Sequence, residues 1–300
     1  MSKTILIVTA VFLITLLFNV VGGSERYIYS DSPNDASESS INQELMDLAD
    51  ETVLFSKVAK ERFIAEVLEI YSNAGDSDVV IYFCEGGWGS RPLSVNPEGR
   101  SLVAGIASTL TSMGYTYCIA DYPRTRKTAG DYLYEGIQLM LQYPVKSKQL
   151  AAKIDFLTGH IDDLKVIIVG KSSGALYANK TAELLSDNPD VYTIQIGSPL
   201  GCKTPVPGRS LAVCDNGIQG DAMIGLDLLS VVRRNKVQVL FTLFAPSFTT
   251  LDWIIGKLLV AVGFCNTRFA LVMPGHDYMW HYPKVGPAIE TFLHGVIGDR

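Results

Sequence analysis

Ser172 stands in Gly170-Lys171-Ser172-Ser173-Gly174, a Gly-x-Ser-x-Gly sequence. The apolar run Val166-Ile167-Ile168-Val169 precedes it, and residues 175–185 after it carry a helical pattern. A strand, a tight turn with serine at its crest and a helix together make a nucleophile elbow. The flanking glycines have a steric role. The serine is held in a strained conformation, and a side chain at either flanking position would collide with the neighbouring strand or helix. The hydroxyl is then exposed at the sheet edge, with the positive end of a helix dipole behind it.

A serine hydroxyl is a poor nucleophile until a base takes its proton. The chain has four histidines. His276, in Pro274-Gly275-His276-Asp277, falls between the last expected strand and the last expected helix, in a loop on the same edge as Ser172. His160 ends a helix before the elbow strand, His281 follows shortly after His276, and His294 sits inside the last helix; these positions suit packing. His276 also satisfies the chain order Ser…acid…His. The histidine needs an orienting acid. Asp252 is the first candidate, because it lies between Ser172 and His276 and follows the strand expected at 237–244. It is also suited to cap a helix beginning near Trp253. Asp215, Asp221 and Asp227 are the alternatives, and Asp277 is too near His276 in sequence to be favoured. For a tetrahedral oxyanion, the backbone N–H of Ser173 is one donor. The turn Gly86-Gly87-Trp88-Gly89 offers a second, from Gly87 or Trp88, since glycines let the backbone approach a substrate closely.

These residues need a scaffold, and the order of elements supplies one. The stretch 42–71 fits either a helix face or a strand hairpin. From there the pattern is clear. The run 79–84 is continuously apolar, as in a strand covered on both faces. A helix is expected over 99–114, with Leu102, Ile106 and Leu110 spaced four apart. Then follow a strand at 115–120, helices at 132–141 and 146–159, the elbow strand and helix, and a strand at 191–196. Strands alternating with helices predict an α/β fold, with a mostly parallel central sheet flanked by helices. Function in such sheets gathers at the carboxyl ends of the strands. Residues 197–234 interrupt the rhythm with Pro199, Pro205, Pro207 and several glycines. This insertion, at about 200–234, suits a lid, or an excursion without function. Beyond it come a strand at 237–244, an apolar helix at 252–264, a strand at 268–273 and a helix at 287–297.

Composition sets the compartment and excludes some functions. The chain has 300 residues, 48% of them apolar and 19% charged, so one large α/β domain is accommodated. A net charge of -6 with no basic stripe argues against a nucleic-acid partner. Residues 1–23 read as a secretory signal: Lys3, an uncharged apolar run, then Gly22, Gly23 and Ser24. An uncleaved anchor is the alternative, and either places the rest outside the cytosol. Residues 24–41 read as a flexible linker and 42–300 as the domain. Of the five cysteines, Cys202 and Cys214 bracket a Pro/Gly-rich loop and suit a disulfide, or two free thiols. Cys84 and Cys118 lie in apolar runs suited to the core.

Gly170-Lys171-Ser172-Ser173-Gly174 in strand–turn–helix context, the Glu85-Gly86-Gly87-Trp88 turn, and Gly275-His276 before a closing helix together resemble the α/β-hydrolase superfamily. The resemblance covers roughly 79–297. It implies acyl transfer to water through a Ser172 acyl-enzyme with His276 as general base. Two departures stand out. Many members have His-Gly where this chain has Glu85-Gly86, so Glu85 is expected to shape the pocket or tune His276. No acid stands immediately after the strand expected at 237–244.

Other chemistries fit less well. Gly170-Lys171-Ser172 lacks the glycine five residues before Gly170 that a phosphate-binding loop requires, since Lys165 is there. No metal-ligand cluster and no dinucleotide fingerprint are present, so no cofactor is implied. Trp88, Leu200, Ile254, Ile255, Leu258 and Leu259 suggest a pocket for a fatty or aromatic acyl group, and so a small-molecule or lipid ester as substrate. The run 253–264 is suited to peripheral membrane contact or to packing on the sheet. Peptide or amide hydrolysis, and a non-catalytic binding protein on the same scaffold, are the competing functions.

Overall fold

The computed structural model describes residues 36–53, 56–125, 129–199, 204–224 and 273–298. One of its inner strands is β1 (Val79–Cys84), whose six residues Val-Val-Ile-Tyr-Phe-Cys are all fully buried. β-Branched and aromatic side chains suit a pleated strand covered on both faces. β2 (Tyr117–Asp121), β3 (Lys165–Lys171), β4 (Val191–Ile196) and β5 (Ser210–Val213) complete a sheet in the order β2-β1-β3-β4-β5. Every pairing among these described strands is parallel, with Cys84 opposite Gly170, Gly170 opposite Gln195 and Ile196 opposite Val213.

Period-2 alternation splits β1 between two cores. Val80, Tyr82 and Cys84 pack with α1 (Ala36–Thr52), α2 (Lys57–Ala74), α5 (Pro144–His160) and α6 (Ser173–Leu184), through residues such as Leu45, Val67, Ile154 and Tyr177. Val79, Ile81 and Phe83 pack with α3 (Pro97–Ser112) and α7 (Gly286–Val296), through Leu102, Ile106, Ile289 and Leu293. Burying one such aliphatic side chain contributes about 1.5–3 kcal/mol. α3 carries the chain from β1 outward to β2. α4 (Ala129–Met140) and α5 then return it across β1 to β3 on the opposite side. The chain therefore leaves β1 in one direction and resumes beyond it in the other. The crevice at such a reversal, outside the strands' carboxyl ends, is where α/β sheets bind ligands. The loop after β1 and the elbow after β3 both open there.

The expected parallel α/β sheet flanked by helices is what forms. The ambiguous stretch 42–71 is helical over 42–52 and 57–71, because Leu45 with Ala49, and Phe63 with Val67, bury at helical spacing. Ser56 caps α2, accepting from the Ala59 N–H at 3.3 Å. Two expectations are corrected. Residues 36–40, read as linker, belong to the polar first turns of α1, extended from the buried positions that follow. And the insertion at about 200–234 is not all lid: Ser210-Leu211-Ala212-Val213 pairs with β4 as a member of the central sheet. The elements expected at 237–244 and 252–264, and all of the strand expected at 268–273 except Met273, lie outside the described residues, as do 1–35 and Cys202. Cys84 and Cys118 are free thiols, Cys84 buried. No helix among the described residues is long and apolar enough to cross a membrane.

Candidate active site

β3 delivers Ser172 to its turn with φ 54° and ψ -123°, and α6 begins at the next residue. A non-glycine residue there costs on the order of 1–3 kcal/mol and persists only where its surroundings enforce it. They do so here: the Ser172 N–H donates to the Ile196 carbonyl at 2.8 Å, tying the elbow to the end of β4. The two glycines are sterically required. A Cβ on Gly170 would lie 2.3 Å from the Gly174 carbonyl oxygen, and one on Gly174 would lie 2.1 Å from that of Cys84. Ser172 itself is half-buried, so its hydroxyl is reachable.

His276 arrives from the other end of the chain on the loop before α7. A Cβ on Gly275 would sit 2.3 Å from the Gly220 carbonyl oxygen, so the His276 loop and the segment after β5 are packed backbone to backbone. The Ala222 N–H donates to the Pro274 carbonyl at 2.9 Å. Asn216 braces the same loop, its Nδ2 donating to the carbonyls of Gly275 at 3.2 Å and Asp277 at 2.9 Å. The imidazole stands over Gly197, where a Cβ would come within 3.0 Å of Cε1. Gly197 directly follows Ile196, the residue that anchors Ser172. Ser172 and His276 therefore border the same carboxyl end of β4.

Asp221, whose side chain is fully buried, holds the imidazole. His276 Nδ1 lies 2.7 Å from Asp221 Oδ2, and the Tyr278 hydroxyl donates to that oxygen at 2.6 Å. The Met223 N–H donates to Oδ1 at 2.8 Å. Burial pushes the Asp221 carboxyl pKa up. The hydrogen bonds from His276 and Tyr278 outweigh that and hold it below the usual carboxylate range. An ionised carboxylate only accepts, so Nδ1 carries a proton; in the neutral imidazole Nε2 then presents its lone pair. Nε2 is buried and has no hydrogen-bond partner among the described residues. The Ser172 hydroxyl donates to Met223 Sδ at 3.9 Å.

The turn after β1 lies against the elbow. The Gly89 N–H donates to the Gly86 carbonyl at 3.1 Å, and Gly87 has φ 58°. The Ser173 hydroxyl donates to the Gly87 carbonyl at 2.6 Å. A Cβ on Gly86 would lie 2.9 Å from Ser172 Cβ. The Trp88 indole packs edge-on against Tyr132, with ring centroids 5.7 Å apart.

Of the residues singled out in the sequence, Ser172, Ser173, Gly87, Trp88 and His276 gather at this edge. Asp252 and Asp227 lie outside the described residues, as do Leu200, Ile254, Ile255, Leu258 and Leu259. Asp215 is occupied by Lys284 Nζ at 2.5 Å, and Asp277 by the Tyr282 hydroxyl at 2.7 Å. His160 bonds the Phe156 carbonyl at 2.8 Å and Glu44 at 3.1 Å, joining α5 to α1. Glu85 does not reach His276; it is buried and bonded to Arg91 Nε at 2.8 Å and Asn96 Nδ2 at 3.3 Å. Tyr278, Met223 and Asn216 were not singled out beforehand. The usable signal was the Asp221-x-Met223 and His276-x-Tyr278 spacing beside glycines. No group of three or more His, Cys, Asp or Glu among the described residues is arranged to hold a metal.

No protein-family model matches the chain. No curated protein matches it either. Among solved structures, the chain is similar to a Trichoderma reesei cutinase in complex with a C11Y4 phosphonate inhibitor. The two share 15% sequence identity with a TM-score of 0.35, over 72% of this chain and 86% of the cutinase.

Proposed function

We propose that the protein is a serine hydrolase of carboxylic esters, with Ser172 as nucleophile, His276 as general base and Asp221 as the orienting acid. The observation that carries this reading is the Asp221–His276 pair, whose Nε2 is buried without a partner among the described residues, at the strand end that also anchors Ser172. In the reaction, Ser172 Oγ attacks the ester carbonyl and its proton passes to Nε2. Asp221 stabilises the imidazolium that forms. The oxyanion is held by the Ser173 N–H, with Gly87 or Trp88 as the second donor. Collapse expels the alcohol, which takes the proton from His276. Water, deprotonated by the same imidazole, then releases the acid.

The Trp88 indole beside the turn supports an acyl group with apolar or aromatic character. The apolar leader supports a secreted or lumenal address, with lipid esters at a membrane surface among the substrates. A non-catalytic binding protein on this scaffold has one observation in its favour: the Ser172 hydroxyl bonds Met223 rather than His276. Turnover of p-nitrophenyl esters of rising chain length by the wild type, lost in Ser172→Ala, is the expected result. Equal rates in the two proteins would refute the enzyme reading.

A further inference from the structure

Arg124 lies just beyond β2, and its side chain is wholly buried. Its Nε donates to Glu135 Oε1 at 3.0 Å. One terminal nitrogen donates to the Glu85 carbonyl. The other donates to the Gly87 carbonyl at 3.2 Å and to Ser173 Oγ at 3.1 Å. Glu135 is itself fully occupied: the Tyr143 hydroxyl donates to Oε1 at 3.0 Å and Lys146 Nζ to Oε2 at 2.5 Å. The guanidinium lies over the Tyr143 and Tyr177 rings, 5.2 and 5.5 Å from their centroids. Gly89 makes room for it, since a Cβ there would meet Arg124 Cζ at 2.9 Å.

A buried arginine is costly unless its charge is paired and its donors are used. Pairing with Glu135 meets the first need. The remaining donors converge on one object, the backbone of the turn after β1 and the first side chain of α6. A planar guanidinium holds two acceptors at fixed spacing, which a flexible ammonium does not. In a trans peptide the C=O and N–H point opposite ways. Fixing the Glu85 and Gly87 carbonyls on Arg124 therefore fixes the directions of the Gly86 and Trp88 N–H groups. Charge-assisted bonding to those carbonyls also polarises the same peptides.

We propose that Arg124 is the positioning residue of the oxyanion turn, holding its peptides in register with Ser173. This rests on the serine-hydrolase reading above. Arg124 touches neither nucleophile nor reacting carbonyl, so its effect falls on the transition state more than on substrate binding.

The test compares Arg124→Lys, Arg124→Ala and Ser173→Ala with the wild type, by p-nitrophenyl ester kinetics and by phosphonylation of Ser172. Arg124→Lys keeps a charge for Glu135 but loses the fork, and kcat is expected to fall about 100-fold, with KM changed less than about threefold. Millimolar guanidinium should restore part of the activity of Arg124→Ala. Ser173→Ala, which removes one of the three converging contacts, should lower kcat in the same direction while the protein stays folded under the assay conditions. Unchanged kcat in a folded Arg124→Lys overturns the proposal. If that variant does not fold, unchanged kcat in Ser173→Ala overturns it. A wild type that neither turns over esters nor is labelled at Ser172 overturns both readings, whereas wild-type turnover with unaffected variants sinks only the role of Arg124.

Discussion

Asp221 and His276 are 55 positions apart in the chain, and their side chains meet at 2.7 Å. The contact joins the segment after β5 to the loop before α7, on the edge where the elbow opens. It fixes the tautomer of the imidazole and the direction in which Nε2 faces. An asparagine at 221 would preserve the shape and lose the charge, and its amide would favour the opposite tautomer. Asp221→Asn is therefore expected to lower kcat/KM for ester hydrolysis by about 10⁴-fold, and Asp252→Asn to leave it near the wild-type value. The two rates in one assay check this; the reverse pattern would move the acid to Asp252.

Tyr278 gives Asp221 its shortest hydrogen bond, at 2.6 Å. Tyr278→Phe removes the donor and leaves the ring. A lost hydrogen bond to a buried charged group costs about 1.5–3 kcal/mol. The variant is expected to unfold at lower urea concentration by a corresponding amount, and to lose activity less severely than Asp221→Asn. A midpoint equal to that of the wild type would mean that Asp221 does not depend on this bond.

The elbow glycines are the sharpest steric statement in the molecule. Gly174→Ala would place a methyl 2.1 Å from a backbone oxygen of β1, and Gly170→Ala one 2.3 Å from a backbone oxygen of α6. Each is expected to cost more than about 4 kcal/mol, the exceptional range that a clash with fixed backbone can reach. Gly159, inside α5, has open space where its Cβ would stand. Gly159→Ala is expected to stabilise by about 0.5–1 kcal/mol. Denaturant unfolding of the three variants makes the comparison.

The elbow was legible in the sequence because it is local: strand pattern, two glycines and helix pattern lie within some twenty residues. His276 was legible from chain order and its glycine. Asp221, the acid proposed here, stands in the sequence only among alternatives, for a physical reason. The strand before it, Ser210–Val213, has four residues and lies in a stretch rich in proline and glycine, so periodicity assigned that stretch to an insertion. The longer apolar run at 237–244 reads as the next strand and makes Asp252 the first candidate instead. Long-range pairing with β4 makes Ser210–Val213 a strand, and no local pattern records that. Arg124 was hidden likewise, since two of its acceptors are backbone carbonyls, which leave no mark on side-chain identity, and the others, Glu135 and Ser173, lie 11 and 49 positions away.

Acid stability follows from two buried carboxylates with lowered pKa values. Burial pushes Glu135 up, but Arg124 and Lys146 outweigh it; Asp221 is lowered by its partners in the same way. A carboxylate whose pKa is lower folded than unfolded contributes stability that is present above its unfolded value, about 4, and lost as pH falls through the folded value. The unfolding free energy is therefore expected to drop steeply below about pH 4. Asp221→Asn, which has one such group fewer, should lose less than the wild type between about pH 5 and 3. Parallel slopes for the two proteins would show that Asp221 is not held ionised by the fold.

The most direct measurement is covalent labelling of the folded wild-type protein with a fluorophosphonate, mapped by mass spectrometry. A single adduct on Ser172 is expected, absent in Ser172→Ala and formed far more slowly in His276→Ala. Folded protein that takes up no label, or that is labelled equally fast without the imidazole, would contradict a hydroxyl at the crest of the elbow activated by His276.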